Sequence, residues 1–189
     1  MSEVSFMMRS GRIWIAGFVL ALIASFVEPG AYDHYRFTMD YDLRQQAAEA
    51  VKDTIKIFSG TLAGFYATGY TAGLRQFPAE NPIRRRIFQD IRNWEQANML
   101  LVMDRDRSTV KEVRFITPDL SIAVVDESWF SVYQNLQTRR QISEKKANII
   151  TVRYYLKKEW GRWIVFEYEV YEREDKIPPI APERVLKWR

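Results

Sequence analysis

Residues 148–174, NIITVRYYLKKEWGRWIVFEYEVYERE, decide the fold of this chain. Apolar and polar residues alternate on both sides of Glu159-Trp160-Gly161, which is the period of a strand with one buried face. The pattern predicts an antiparallel hairpin with a three-residue turn and Gly161 in the left-handed conformation. The expected pairs are Lys158 with Arg162, Leu156 with Ile164, Tyr155 with Val165, Tyr154 with Phe166, Arg153 with Glu167, Val152 with Tyr168 and Ile150 with Val170.

The residues before this hairpin have a helical period. One apolar face runs from Leu43 through Phe58 to Tyr66, and a second helix is expected to begin with Asn81 as N-cap and Pro82 in the first turn. The buried stripe expected for the second helix consists of Ile83, Ile87, Ile91 and Trp94.

The period changes to that of strands after the second helix. Residues 99–103 are predicted as a short strand or the end of the helix, and residues 104–109 as a polar turn. Residues 110–117 and 120–137 are predicted as strands, the second long enough to be bent or bulged. Helices followed by antiparallel strands predict an α+β fold with helices packed on a strongly bent sheet.

The amino-acid composition excludes several classes of function. The chain has 189 residues, a net charge of +4, no cysteine and one histidine, His34. Disulfides, thiolate catalysis and cysteine-based metal sites are therefore excluded. The dense basic segment is Arg84-Arg85-Arg86, where an exposed helix face is the simpler interpretation and a partner-docking or lipid-headgroup patch the alternative. Because acids are interleaved with bases elsewhere, nucleic acid is not expected as a partner.

The N-terminal region predicts a membrane anchor. Residues 13–27, IWIAGFVLALIASFV, contain no charge. Because a full span needs about 20 residues, Ala31 and Tyr32 are included and the predicted span covers residues 13–32. The expected membrane residues are Arg12, Trp14, Phe18, Leu20, Phe26 and Tyr32. A cleaved signal peptide and a buried soluble helix are the alternatives. The positive-inside rule places residues 1–12 in the cytoplasm and the rest, after a linker at 33–42, on the periplasmic side of an inner membrane.

Residues 43–175 resemble the nuclear-transport-factor-2-like superfamily, a cone of helices against a bent sheet. The resemblance rests on GFYATG at 64–69, RRRIFQDI at 84–91, VKEVRFITPDLSIAVVDESW at 110–129 and the final hairpin. The superfamily includes enzymes, which generally keep a His or an acid pair inside the cone, and also structural modules. Its membrane-anchored branch includes the TraE-like proteins of type IV secretion and conjugation, and tethered assembly factors.

No catalytic pair with the spacing for acid–base chemistry is found in the sequence. Asp126 and Glu127 are adjacent in a strand, so that one of them faces outward. No cofactor or metal is expected. Four aromatic residues are predicted to line either the core or an apolar pocket: Trp129, Tyr154, Phe166 and Tyr168.

The tail, residues 176–189, is proline-rich and basic, and two interpretations remain open. Pro178, Pro179, Pro182 and Trp188 are the residues expected to dock a partner. The alternative is a strap across the chain's own domain. The resulting hypothesis is a non-enzymatic, membrane-anchored scaffold for membrane protein subunits, with a homo-oligomer left open. The competing hypothesis is a cone-fold enzyme or carrier with an aromatic-lined pocket.

Overall fold

The computed structural model describes residues 40–172 and 176–179. Helix α1 (Tyr41–Thr68) is followed by a 3-10 turn (Ala72–Gln76) and helix α2 (Asn81–Gln96). Four antiparallel strands follow in the sheet order β1-β2-β3-β4. They are β1 (Met99–Thr117), β2 (Leu120–Asn135), β3 (Lys146–Glu159) and β4 (Arg162–Tyr171). The predicted α+β class is thus confirmed for this part of the chain.

The predicted anchor lies outside the described residues. This applies to the span 13–32 with Arg12, Trp14, Phe18, Leu20, Phe26 and Tyr32, and also to Pro182 and Trp188 of the tail. Among residues 40–172 and 176–179, no helix combines the length and the apolar character needed to cross a bilayer.

Helix α1 begins at a side-chain cap and ends at a glycine. The Asp40 carboxylate accepts a hydrogen bond from the backbone N–H of Asp42 at 3.0 Å, which satisfies one of the free donors of the first turn. Gly69 ends the helix with φ of +72°, a conformation that glycine adopts without strain. The face between them buries Val51, Ile55, Phe58, Ser59, Phe65 and Tyr66.

Helix α2 buries the predicted stripe but begins one residue earlier than expected. Ile83, Ile87 and Ile91 are buried, and Trp94 packs against the ring of Tyr66 at 4.8 Å between centroids. The N-cap is Glu80 and not Asn81, which is the first helical residue. Glu80 takes this position because its extended backbone donates a hydrogen bond from its N–H to the carbonyl of Val165 on β4.

The polar turn predicted at residues 104–109 is wrong, since β1 continues through it as one strand of 19 residues. Three shifts in register against β2 occur along β1, at Asp106, Lys111 and Ile116. Each bulge inserts one extra residue into β1 relative to β2, which lets the polar sequence stay within the strand. Charged residues and bulges are also typical of an edge strand, which is the position of β1.

The hairpin of β3 and β4 forms with a different register from the predicted one. Glu159 pairs with Arg162, so the turn has two residues, Trp160 and Gly161, with φ of +52° and +77°. A bulge at Phe166 then shifts the register, so that Tyr154 pairs with Tyr168 and not with Phe166. The remaining observed pairs are Lys158 with Trp163, Lys157 with Ile164, Leu156 with Val165, Tyr155 with Glu167, Arg153 with Glu169, Val152 with Val170 and Thr151 with Tyr171.

The core lies between the helices and one face of the sheet. It combines the apolar stripes of α1 and α2 with Ala123, Val125, Val152, Tyr154 and Val165. The other edge strand, β4, is covered by the loop before α2, because Val165 exchanges hydrogen bonds with Pro78 and Glu80. The free backbone groups at that edge are thereby partly satisfied.

Candidate functional site

The interior of the domain contains one buried acid, Glu127. Alternation along β2 turns Ala123, Val125, Glu127 and Trp129 toward the helices. The side chain of Glu127 is therefore buried, with 3% of the residue exposed, whereas Asp126 faces outward and pairs with Lys111 at 3.0 Å. The sequence showed that one of these two acids faces inward, but the residues in phase with each acid, Ile122 and Val124 or Ala123 and Val125, are all apolar and do not indicate which one.

Both carboxylate oxygens of Glu127 accept hydrogen bonds from aromatic side chains. The indole Nε1 of Trp129 donates to Oε2 at 2.7 Å, and the hydroxyl of Tyr154 donates to Oε1 at 2.9 Å. Buried polar groups are normally satisfied in this way, because an unpaired one costs about 1–3 kcal/mol. Two of the four aromatic residues singled out from the sequence, Trp129 and Tyr154, therefore hold this carboxyl group.

Arg105 supplies positive charge beside this pair of aromatic residues. It is paired with Trp129 across β1 and β2, and its guanidinium carbon lies 5.9 Å from the centre of the indole ring. Its Nη1 donates to the hydroxyl of Ser59 on α1, which in turn donates to the carbonyl of Ile55 at 2.9 Å. A polar network thus connects α1 to the centre of the sheet.

Burial dominates the electrostatics of this network. Desolvation raises the pKa of Glu127 above its ordinary value of 4.5, although the hydrogen bonds from Trp129 and Tyr154 and the charge of Arg105 oppose the shift. Desolvation and the neighbouring carboxylate also raise the pKa of Tyr154 well above its ordinary value. A carboxyl group with a raised pKa keeps its proton to a higher pH than an ordinary carboxyl group, but both oxygens of Glu127 are already engaged by the protein.

Aromatic rings pack together in the interior beside the aliphatic residues of the core. Phe58 of α1 contacts Tyr154 and Tyr168, each at 5.7 Å between ring centroids, and Phe77 at 4.7 Å. Tyr154, Tyr168 and Trp129 therefore lie on the interior face of the sheet. Phe166 does not, because its ring lies 6.2 Å from that of Tyr155 on the opposite face of the sheet. The bulge in β4 turns it there, so its predicted place in the lining is wrong.

The three consecutive arginines of α2 occupy different environments. Arg84 is partly buried, and its Nη1 donates to the backbone carbonyl of Arg75 at the end of the 3-10 turn, at 2.9 Å. Arg85 and Arg86 are exposed, and so is the neighbouring Phe88, at 45%. Arg85, Arg86 and Phe88 are thus the exposed residues of this segment, whereas Arg84 contacts the end of the 3-10 turn.

The tail segment at residues 176–179 lies against the sheet face opposite the helices. The Nη2 atom of Arg153 donates to the carbonyl oxygen of Pro178, and Ile177 and Pro179 line the same groove. This arrangement corresponds to the strap interpretation of the tail for Pro178 and Pro179. Within the described ranges, no three Asp, Glu, His or Cys side chains come together in a way that could hold a metal ion.

Comparison with known proteins adds information on the fold. No family model and no curated sequence matches the chain. The intermembrane space region of the chloroplast protein ARC6 superposes with a TM-score of 0.57 at 9% identity, over 66% of this chain and 95% of that one. This likeness concerns the fold alone.

Two further structures match more weakly. An NTF2-like protein of unknown function from Prochlorococcus has a TM-score of 0.31 at 14% identity, over 45% of this chain and 59% of that chain. Aln2 from Streptomyces has a TM-score of 0.34 at 13% identity, over 80% and 98%. Values this low do not distinguish between fold families. The fold and the site together define a small α+β domain with a polar network in its interior.

Proposed function

We propose that this protein is a non-enzymatic docking subunit of a membrane complex, built on a nuclear-transport-factor-2-like domain. The observation that carries the proposal is the state of Glu127. An acid that works on a substrate needs a free oxygen facing it. Both oxygens of Glu127 instead accept hydrogen bonds from Tyr154 and Trp129, and the aromatic rings around Phe58 fill the interior. The network therefore stabilises the domain, and partner proteins bind to the surface of the domain.

The cellular setting belongs to the same proposal. Residues 13–32 anchor the chain in an inner membrane, with the domain on the periplasmic side, as the charge distribution around the span favours. A secretion or conjugation machine of the type IV class is the setting that the resemblance to TraE-like proteins suggests. In ARC6 a domain of this fold lies in an intermembrane space, which is the kind of setting proposed here for this chain.

The exposed side of α2 is the proposed docking surface for partner subunits. Arg85 lies three residues before the exposed Phe88, on the same face of α2, and Arg86 adds a second exposed cation to the helix. Arginine with an aromatic residue is a combination typical of interface centres. An acidic, partly apolar surface on a membrane protein subunit is the complementary partner. Nucleic acid is not part of this proposal.

The experiment is a detergent pull-down of the intact chain with its partners identified by mass spectrometry. The test variant carries Arg85→Glu and Arg86→Glu, and the control carries Arg140→Glu and Arg162→Glu, which reverse two exposed arginines elsewhere. We expect the test variant to lose partners that the control keeps. Retention of every partner by both variants would show that α2 is not the docking surface.

Membrane attachment is tested separately. We expect the chain to stay in the membrane fraction after alkaline carbonate washing, with an intact mass that includes residues 1–32. We also expect an external protease to digest the domain in spheroplasts but not in intact cells. A mature chain that begins after residue 24 or 31 would instead support the cleaved signal peptide.

A second candidate function rests on the raised pKa of Glu127 beside Arg105. A buried carboxyl group with a raised pKa, surrounded by aromatic rings, is also typical of the pocket of a cone-fold enzyme or of a carrier for a small apolar molecule. Native mass spectrometry of the purified chain would reveal a co-purified ligand. Loss of that ligand in a folded Glu127→Gln variant would favour this candidate over the docking subunit.

A further inference from the structure

The sheet face opposite the helices is covered around Arg153. Ile122 is 4% exposed, Tyr155 0% and Arg153 5%, although none of the three belongs to the core between sheet and helices. An arginine in the middle of an open sheet face would normally extend into water. Its burial shows that this face has a cover of its own.

The cover includes residues 176–179, called the strap below. Ile177, Pro178 and Pro179 line an open groove of about 330 Å³ together with Ile122, Val124 and Arg153. The rim of the groove is charged and consists of Lys111, Glu112 and Arg114. The strap therefore occupies one side of the groove and leaves the rest open.

Arg153 is held in place for contact with the strap. Its Nη1 lies 3.6 Å from the Glu169 carboxylate and 3.3 Å from the hydroxyl of Tyr155, and its guanidinium carbon lies 5.6 Å from the centre of the Tyr171 ring. The hydroxyls of Tyr155 and Tyr171 both donate to Glu169, which fixes the carboxylate. One edge of the guanidinium is thus engaged by the sheet, and Nη2 donates to the carbonyl of Pro178.

A proline-containing segment suits this groove for three physical reasons. An extended proline segment has no internal hydrogen bonds, so its carbonyl groups are free to accept from an arginine. Proline has no N–H group, so its contact with the sheet leaves no donor unsatisfied. Its fixed φ angle also lowers the entropy lost on binding.

We propose that the outer sheet face around Arg153 is a binding groove for an extended, proline-containing peptide segment, and that the strap is its resident occupant. The strap then blocks the groove in cis, and a partner's segment of the same chemistry binds only when the strap leaves. This inference deepens the proposed docking function, because it specifies the chemistry of one docked segment. It needs neither the anchor nor the α2 surface.

The first experiment measures peptide binding by the full chain in detergent. The probe is a fluorescent peptide with the sequence of residues 175–182, DKIPPIAP, and the control peptide has glycine in place of each proline. A variant with Ile177→Gly, Pro178→Gly and Pro179→Gly frees the groove. We expect it to bind the probe at least about tenfold more tightly than the unaltered chain, and adding Arg153→Lys to reverse the gain.

Arg153→Lys keeps the charge beside Glu169 but lacks the planar fork that contacts Tyr155, Glu169 and Pro178 together. The matched control is Arg162→Lys, an exposed arginine outside the groove, which should leave binding unchanged. Equal binding by the unaltered chain and the glycine variant, or binding indifferent to Arg153, would overturn the proposal. Failure of the α2 variants to lose partners would not affect this result, so the two proposals fail separately.

A second measurement covers the case in which the glycine variant does not fold. Trypsin cleaves after Lys176, next to the strap contact, and the strap should protect that bond in the unaltered chain. We expect Arg153→Lys to accelerate cleavage after Lys176 by about tenfold or more, as expected for loss of one charge-assisted hydrogen bond. Arg162→Lys should not do so. The same cleavage rate in all three chains would show that Arg153 does not hold the strap.

Discussion

The hydroxyl of Tyr154 lies 2.9 Å from Oε1 of Glu127, although the two residues are not opposite each other in the sheet. Tyr154 pairs with Ala123, four residues before Glu127 on β2, and four strand residues span about 13 Å. The two long side chains bridge the intervening pair of Val125 and Val152. This hydrogen bond thus connects positions of β2 and β3 that are four residues apart along the strands.

The first prediction concerns the pH dependence of stability. Burial raises the pKa of Glu127, so the folded state binds its proton more tightly than the unfolded state. The stability contributed by this group is full below its unfolded pKa and is lost as the pH rises through its folded pKa. Each unit of difference corresponds to about 1.4 kcal/mol.

We therefore expect the Glu127→Gln variant to be most destabilised relative to the unaltered chain at acidic pH, with the gap narrowing toward neutrality. Denaturant unfolding between about pH 4 and pH 8 checks this. An exposed acid, Asp119, replaced by asparagine is the control. A gap that widens as the pH rises would contradict a raised pKa.

The second prediction isolates the hydroxyl of Tyr154. Tyr154→Phe keeps the ring packed against Phe58 but removes the donor to Glu127, and we expect a loss of about 1–3 kcal/mol in the free energy of unfolding. Tyr70→Phe, at a residue that is 67% exposed, should change it by less than about 0.5 kcal/mol. Equal effects in urea unfolding would mean that the buried hydrogen bond contributes nothing.

The third prediction tests the two-residue turn. Trp160 is 98% exposed and has φ of +52°, so its side chain adds strain without packing. Trp160→Asn creates the Asn-Gly turn that matches strand twist and should stabilise the domain by about 0.4–1 kcal/mol. Gly161→Ala, at φ of +77°, should destabilise it by about 1 kcal/mol. Thermal unfolding shows whether each substitution raises or lowers the stability of the domain. A Trp160→Asn variant that is less stable than the unaltered chain would argue against this turn.

The fourth prediction separates the arginines of α2 by their contacts. Arg84→Ala removes the donor to the Arg75 carbonyl and should cost about 1–2 kcal/mol. Arg85→Ala removes an exposed side chain on the same helix and should cost less than about 0.5 kcal/mol. Chemical denaturation compares the two directly. If Arg85→Ala costs as much as Arg84→Ala, the hydrogen bond from the partly buried Arg84 to Arg75 does not contribute to the free energy of unfolding.

The elements themselves were largely predictable because periodicity is a local property. Ile83, Ile87 and Ile91 recur at helical spacing and are buried, and the alternation around residues 150–170 does form a hairpin. Errors arose where a shift of one residue matters. Phe166 lies in a bulge and Trp160 in a two-residue turn. The free energies of these features differ little from those of the predicted regular pairing and three-residue turn, so only the packing of the whole sheet selects between them.

The sequence by itself determined the helices, the strands other than the middle of β1, the α+β class and the inward position of one acid in the Asp126-Glu127 pair, since each depends on residues that are close along the chain. Only the tertiary structure decided that Glu127 meets Tyr154 and the charge of Arg105, and that Arg153 holds Pro178. Contacts between residues 20 or more positions apart depend on register and side-chain direction, which the pattern of a single strand leaves undetermined.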